Sequence, residues 1–92
     1  MYAVLFSKKA KKQFENLDKN TQEKIKKGIE GLSLNPYPAP GSKIIIDIKN
    51  SELADYRKII GRWRILFDII EKRKQVYILY IRIRNEKTYS KR

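Results

Sequence analysis

The sequence predicts an α+β fold: an N-terminal strand and a helical hairpin packed on one face of a mostly antiparallel, curved sheet of four to five strands. Three observations carry this. A short apolar run opens the chain and two stretches with helical periodicity follow it. A proline-rich break then separates them from runs with strand alternation and turn residues between. Helices that come as a pair before a meander of strands are segregated to one face of the sheet. At 92 residues, with 41% apolar residues, the chain 1–92 reads as a single small domain with one core.

Each element has its own warrant. Met1 to Phe6 is a short apolar run, read as the first strand. Ser7 stands where a helix N-cap belongs. From Lys8 to Leu17, Ala10, Phe14 and Leu17 recur at helical spacing among lysines. Asp18-Lys19-Asn20 reads as a turn, with Asn20 and Glu23 as a capping-box-like pair opening a second helix. Ile25, Ile29 and Leu32 are its apolar stripe, and Gly28 and Gly31 weaken it, so it ends near Leu32 or Leu34. So short a turn makes the two helices an antiparallel hairpin.

Asn35 to Gly41 holds three prolines and is neither helix nor central strand. Ser42 to Lys49 has high strand propensity, and Asn50-Ser51-Glu52 turns the chain again. Asp55 to Phe67 reads as two short strands meeting at a turn around Gly61. In the second of these, Trp63, Ile65, Phe67 and Ile69 share one face, while Arg64, Leu66 and Asp68 take the other. Glu71 to Gln75 is a polar hairpin loop. In the last strand, regular alternation groups Tyr77, Leu79, Ile81 and Ile83 against Val76, Ile78, Tyr80, Arg82 and Arg84. Asn85 to Arg92 reads as a short basic tail.

Composition narrows the function. Twenty-two Lys and Arg against ten Asp and Glu give a formal net charge of +12. Charge of that size on a small surface favours an anionic partner, such as nucleic acid or an acidic protein segment. There is no cysteine, which removes disulfides and thiolate chemistry. There is no histidine, which removes the commonest metal ligand and the commonest general base near neutral pH. No run approaches the roughly 20 apolar residues of a membrane span, and no signal-peptide pattern opens the chain, so a cytoplasmic protein is expected.

A half-buried strand that carries arginine on its open side must solvate the guanidinium, pair it, or aim it at an anion. If the two long strands are antiparallel neighbours, Arg64 and one or both of Arg82 and Arg84 share that open face. Arg64 could instead pair with Asp68, and Arg57 with Asp55, two positions along the same strand face.

The order of elements, together with Tyr56-Arg57, Gly61-Arg62-Trp63-Arg64-Ile65-Leu66-Phe67, Val76 to Arg84 and the later Tyr89, resembles the RelE/ParE toxin superfamily. The resemblance covers nearly the whole chain. Tyr56, Arg57, Gly61 and Arg64 match the family stretch, Trp63 and Phe67 stand where tyrosine is frequent, and Ile59 stands where a second basic residue is expected. The resemblance implies the toxin of a type II toxin–antitoxin system. Its RelE-like members cut mRNA in the ribosome without a metal; its ParE-like members inhibit DNA gyrase. Both are neutralised by an antitoxin, here expected as an acidic helical segment wrapping the basic surface. A non-catalytic binder of nucleic acid or acidic protein is the remaining alternative.

Carried over by position, the resemblance makes Arg57, Arg64, Arg84 and Tyr89 the catalytic candidates. Lys43, Lys58, Arg62, Arg82 and Lys87 are the nucleic-acid-binding candidates; Lys58 reaches the open face only if a bulge turns it there. The expected partners are ribosome, mRNA and antitoxin, with no membrane, metal or cofactor. Arginine suits the task because its planar donors clamp a phosphate. With no histidine, the base falls to a tyrosine, a lysine or a carboxylate with a shifted pKa. Tyr89 would stack on a base or pass a proton.

Overall fold

The computed structural model describes residues 1–49 and 52–84. Its elements are β1 (Ala3–Phe6), α1 (Lys8–Glu15), α2 (Lys19–Leu34), β2 (Ile45–Asp47), β3 (Tyr56–Ile60), β4 (Trp63–Ile70), a single 3₁₀ turn (Glu71–Arg73) and β5 (Gln75–Ile83). The five strands form one sheet in the order β1-β5-β4-β3-β2. The meander β2 to β5 is antiparallel, and β1 pairs parallel to β5. The helical hairpin and the proline loop therefore carry the chain from one edge of the sheet to the other.

The helices begin on side-chain caps. Ser7 Oγ accepts from the Ala10 N–H at 3.0 Å. Asp18, not Asn20, caps α2: its carboxylate accepts from the Thr21 N–H at 3.4 Å and the Thr21 hydroxyl at 2.5 Å. The capping box expected on Asn20 and Glu23 is thus displaced by two residues, because an aspartate already ends the turn before it. Gln22 donates to the Phe14 carbonyl at 2.9 Å and ties the end of α1 to the start of α2.

The core lies between helices and sheet. Ala10, Ile25, Ile29 and Leu32 meet Tyr56, Ile65, Phe67, Val76, Ile78 and Ile81, with Val4, Phe6, Phe14, Leu17 and Trp63 packed around them. Gly28 serves close approach: a Cβ there would lie 2.2 Å from Ile60 Cδ1. The expected strand Ser42–Lys49 shrinks to three residues at the sheet edge. Ser42 Oγ takes the Ile44 N–H at 3.2 Å and Asp47 takes the Lys49 N–H at 2.9 Å, so local side-chain bonds bend the chain at both ends.

A bulge interrupts the β4–β5 ladder. Leu66 pairs with Tyr80 but Phe67 pairs with Ile78, leaving Leu79 as an extra residue on β5. The regular alternation expected for β5 therefore fails. Val76 and Ile78 share the core face with Ile81 and Ile83, while Tyr77, Tyr80 and Arg82 share the other. Helix α1 holds the bulge in place. Ser7 donates its hydroxyl to the Leu79 carbonyl at 2.9 Å, and the Ile81 N–H donates to Gln13 Oε1 at 2.7 Å. Backbone groups freed by the bulge thus find side-chain partners.

Candidate nucleic-acid interface

The face of the sheet turned away from the helices is built by register. Ile59 of β3, Arg64 of β4 and Arg82 of β5 stand side by side across three strands. The next row holds Ile46, Arg57, Leu66 and Tyr80. Directly opposed residues on a sheet have Cβ atoms about 4.5–5.5 Å apart and diagonal neighbours about 7–8 Å; Arg64 is opposed to Arg82 and diagonal to Arg57 on this face. The bulge is the device that brings Arg82 to this face, since without the extra Leu79 every residue after Ile78 would point the other way.

Arg64 is only 8% exposed, whereas Arg82 is exposed and Arg57 half-buried. Of the three fates open to a strand arginine, full solvation does not hold for Arg64: it sits low in the face, between Ile59 and Arg82 and beside the buried Leu66. A mostly buried guanidinium is screened less by water than one at the surface. Asp68, a carboxylate on this face, accepts from the Asp55 N–H at 2.7 Å.

The other candidates are scattered. Arg84, exposed and one residue past β5, donates its N–H to the Arg62 carbonyl at 2.7 Å, so it continues the row from Arg82. Arg62 lies in the two-residue turn between β3 and β4, where only Gly61 has positive φ (60°), the pattern of a type II′ hairpin. Lys43 is exposed in the loop before β2. Lys58 faces the helices: no bulge turns it, it pairs with Ile65, and its Nζ donates to the Gly28 carbonyl at 2.8 Å. Burial pushes the Lys58 ammonium below its ordinary pKa. Lys87 and Tyr89 lie outside the described residues.

Tyr80 was not singled out by the sequence, yet it lies on the arginine face, across from Leu66 and two residues before Arg82. Lys9 Nζ sits 5.6 Å from the centre of its ring. The signal for it is the bulge, which an unbroken apolar strand does not announce. Among the described residues, no group of three or more His, Cys, Asp or Glu is placed to hold a metal ion, and no helix is long and apolar enough to cross a membrane.

A helical hairpin laid on one face of a five-stranded sheet, with arginines gathered on the other, defines the class: a small basic protein of the RelE/ParE toxin type. Solved structures share this fold, among them the following three. The RelE–RelB complex from Pyrococcus horikoshii is 24% identical, with a TM-score of 0.73 over 91% of this chain and 96% of that one. The RelBE2 toxin–antitoxin complex from Mycobacterium tuberculosis is 21% identical, with a TM-score of 0.74 over 90% and 98%. The isolated E. coli RelE toxin is 18% identical, with a TM-score of 0.65 over 98% and 93%. No match was found among curated proteins. The family model of the ParE toxin of the type II toxin–antitoxin system parDE matches residues 4–88, and the chain belongs to that family.

Proposed function

We propose that this toxin halts translation by cutting mRNA in the ribosome, and that a cognate antitoxin restrains it. The observation that carries the reading is the register of Arg64 directly opposite Arg82, with Arg57 on the next diagonal. Like charges placed opposite one another on a sheet repel, so an anion on this face is favoured. An RNA phosphate fits, since a planar guanidinium can offer two parallel donors to it.

In the proposed step the ribose 2′-oxygen attacks the adjacent phosphorus. A P–O2′ bond forms as the P–O5′ bond breaks, leaving the upstream fragment with a 2′,3′-cyclic phosphate and the downstream fragment with a 5′-hydroxyl. A base takes the 2′-hydroxyl proton, and an acid returns one to the departing O5′. Arg64 and Arg82 stabilise the extra negative charge on the phosphorane oxygens. Arg57 and Arg84 hold neighbouring phosphates, and the Tyr80 ring takes a splayed base. Tyr89 stands as the proton-transfer candidate. The step uses protons and cations only, so it calls for no cofactor.

A gyrase-directed poison is the second reading. It is favoured by the family match to ParE toxins and by Ile59, an apolar residue in the middle of the arginine row. The test is direct. Purified protein is added to ribosomes programmed with a defined mRNA and, separately, to gyrase with relaxed plasmid. Cuts in the mRNA with unaffected supercoiling support the endonuclease. Blocked supercoiling with intact mRNA overturns it in favour of the second reading.

A further inference from the structure

Helix α1 stands in for a strand beside the second half of β5. β1 ends at Phe6, which pairs with Ile78, and from Ser7 the chain turns into the helix. Past Ile78, β5 has β4 on one side and side chains of α1 and its cap on the other. Three consecutive residues are gripped in this way. The Leu79 carbonyl accepts from the Ser7 hydroxyl at 2.9 Å. The Tyr80 ring lies under Lys9 Nζ, 5.6 Å from its centre. The Ile81 N–H donates to Gln13 Oε1 at 2.7 Å. Arg82 is the next residue. Lys9 and Gln13 are four residues apart and share a helix face. Ala10 and Phe14, each one position further on, turn to the core, so neighbouring faces of one helix pack and grip.

The grip bears on one arginine. Arg57 and Arg64 are placed by the β3–β4 hairpin, which does not use α1. Arg82 reaches their face only through the bulge at Leu79. The bonds from Ser7 and Gln13 are both part-buried. A backbone N–H in such a place needs its acceptor, and the Ile81 N–H takes it from a side chain instead of a strand. Without that acceptor the end of β5 is held by β4 alone.

We infer that Gln13 is a positioning residue for the arginine face: through the Ile81 N–H it fixes Arg82 opposite Arg64. This rests on the reading above only for the ligand, RNA.

The experiment is a double-mutant cycle on the full chain, read by anisotropy of a labelled oligouridylate at one salt concentration. Gln13→Met is of similar length but lacks a strong acceptor. It should weaken binding about fivefold or more, the scale of coupling inside one hydrogen-bonded network. In an Arg82→Ala background the same change should weaken binding by less than about twofold. Gln13→Glu keeps an acceptor oxygen. It should bind like Lys12→Gln, which removes the same unit of charge at the neighbouring exposed residue. A role in stability alone would weaken both backgrounds equally, and that result overturns the inference. So does Gln13→Glu binding as poorly as Gln13→Met.

A second reading needs no RNA. Gln13→Met should lose the backbone NOE between Arg64 and Arg82 while keeping the one between Phe67 and Ile78, ahead of the bulge. An unchanged Arg64–Arg82 NOE overturns the inference. If Gln13→Met does not fold, Gln13→Asn, which draws the amide back by one methylene, takes its place in both readings. Failure of the proposed function shows differently. Wild-type protein that binds oligouridylate but leaves mRNA on ribosomes intact removes the endonuclease and not the Gln13–Arg82 coupling. Wild-type protein that ignores oligouridylate removes the RNA ligand, and the NOE then decides the role of Gln13.

Discussion

Arg64 and Arg82 face one another across β4 and β5, on the side of the sheet turned away from α1 and α2. One is 8% exposed and the other open to solvent. On the proposed function, a buried and an exposed cation at one register position would form a graded anchor for phosphate. Arg82→Ala should therefore weaken binding of a single-stranded RNA and reduce the slope of log K against log salt by about 0.7, the share of one phosphate contact. Anisotropy of a labelled oligonucleotide from about 50 to 200 mM salt reads it. Stability should stay within about 0.5 kcal/mol of wild type, because the side chain is exposed. An unchanged slope removes Arg82 from the interface.

Gln13 is the latch on the bulge. Its Oε1 accepts the Ile81 N–H at 2.7 Å in a part-buried place. Gln13→Ala strands that donor and should cost about 1–3 kcal/mol. Denaturant melts give the cost, and hydrogen exchange of the Ile81 amide locates it. If the amide exchanges no faster in the variant, another group holds the bulge.

Gly28 and Ile60 should show a sign reversal. A Cβ at 28 would lie 2.2 Å from Ile60 Cδ1 and 2.8 Å from Ile60 Cγ1, so Gly28→Ala should destabilise by about 1–3 kcal/mol through overpacking. In an Ile60→Ala background both clashes are gone. There the same change should stabilise by up to about 1 kcal/mol, the gain in helix propensity. A double-mutant cycle measures the coupling. Equal effects in both backgrounds would contradict the packing.

Glu71 predicts a pH signature. It accepts from Tyr2 at 2.7 Å and Tyr37 at 2.5 Å and pairs with Lys74. The Lys74 bond first, then the two phenols, hold its carboxyl at about 2, below the usual 4.5. A depressed carboxyl stabilises the fold above its unfolded pKa, and that contribution fades as pH falls from about 4.5 toward 2. Glu71→Gln should thus lower Tm at pH 7, and the gap should close on acidification. The Tyr2–Tyr37–Tyr56 ladder would loosen with it. A gap constant with pH rules out the carboxylate as its source.

The fold class was legible because period and punctuation agree. Ala10, Phe14, Ile25, Ile29 and Leu32 repeat at helical spacing and do face the sheet. Trp63, Ile65, Phe67 and Ile69 alternate and do share the core side. The bulge was not legible. Val76 to Ile83 is apolar at all but one position, so alternation cannot say which face is which. Only the tertiary bonds from Ser7 and Gln13 decide it. The parallel pairing of β1 with β5 is likewise a long-range contact that no local pattern records. Of the site, the shared face of Arg57 and Arg64 was legible from alternation and the hairpin turn, whereas Arg82 joins it only through the bulge. The burial of Arg64 was not, since it depends on what packs around the strand. Lys58 shows the converse: its charge suggested nucleic acid, and its parity sends it to the Gly28 carbonyl.

The most direct test is to map RNA 5′ ends genome-wide minutes after induction of wild-type protein and of Arg82→Ala, with equal amounts of folded protein verified. New ends within the coding regions of translated messages, with wild type only, are the predicted result. Losing one charge-stabilising donor lowers such a rate by about 10²–10³-fold. No new ends with wild type, or the same ends at the same frequency with Arg82→Ala, would contradict an arginine face that cuts RNA.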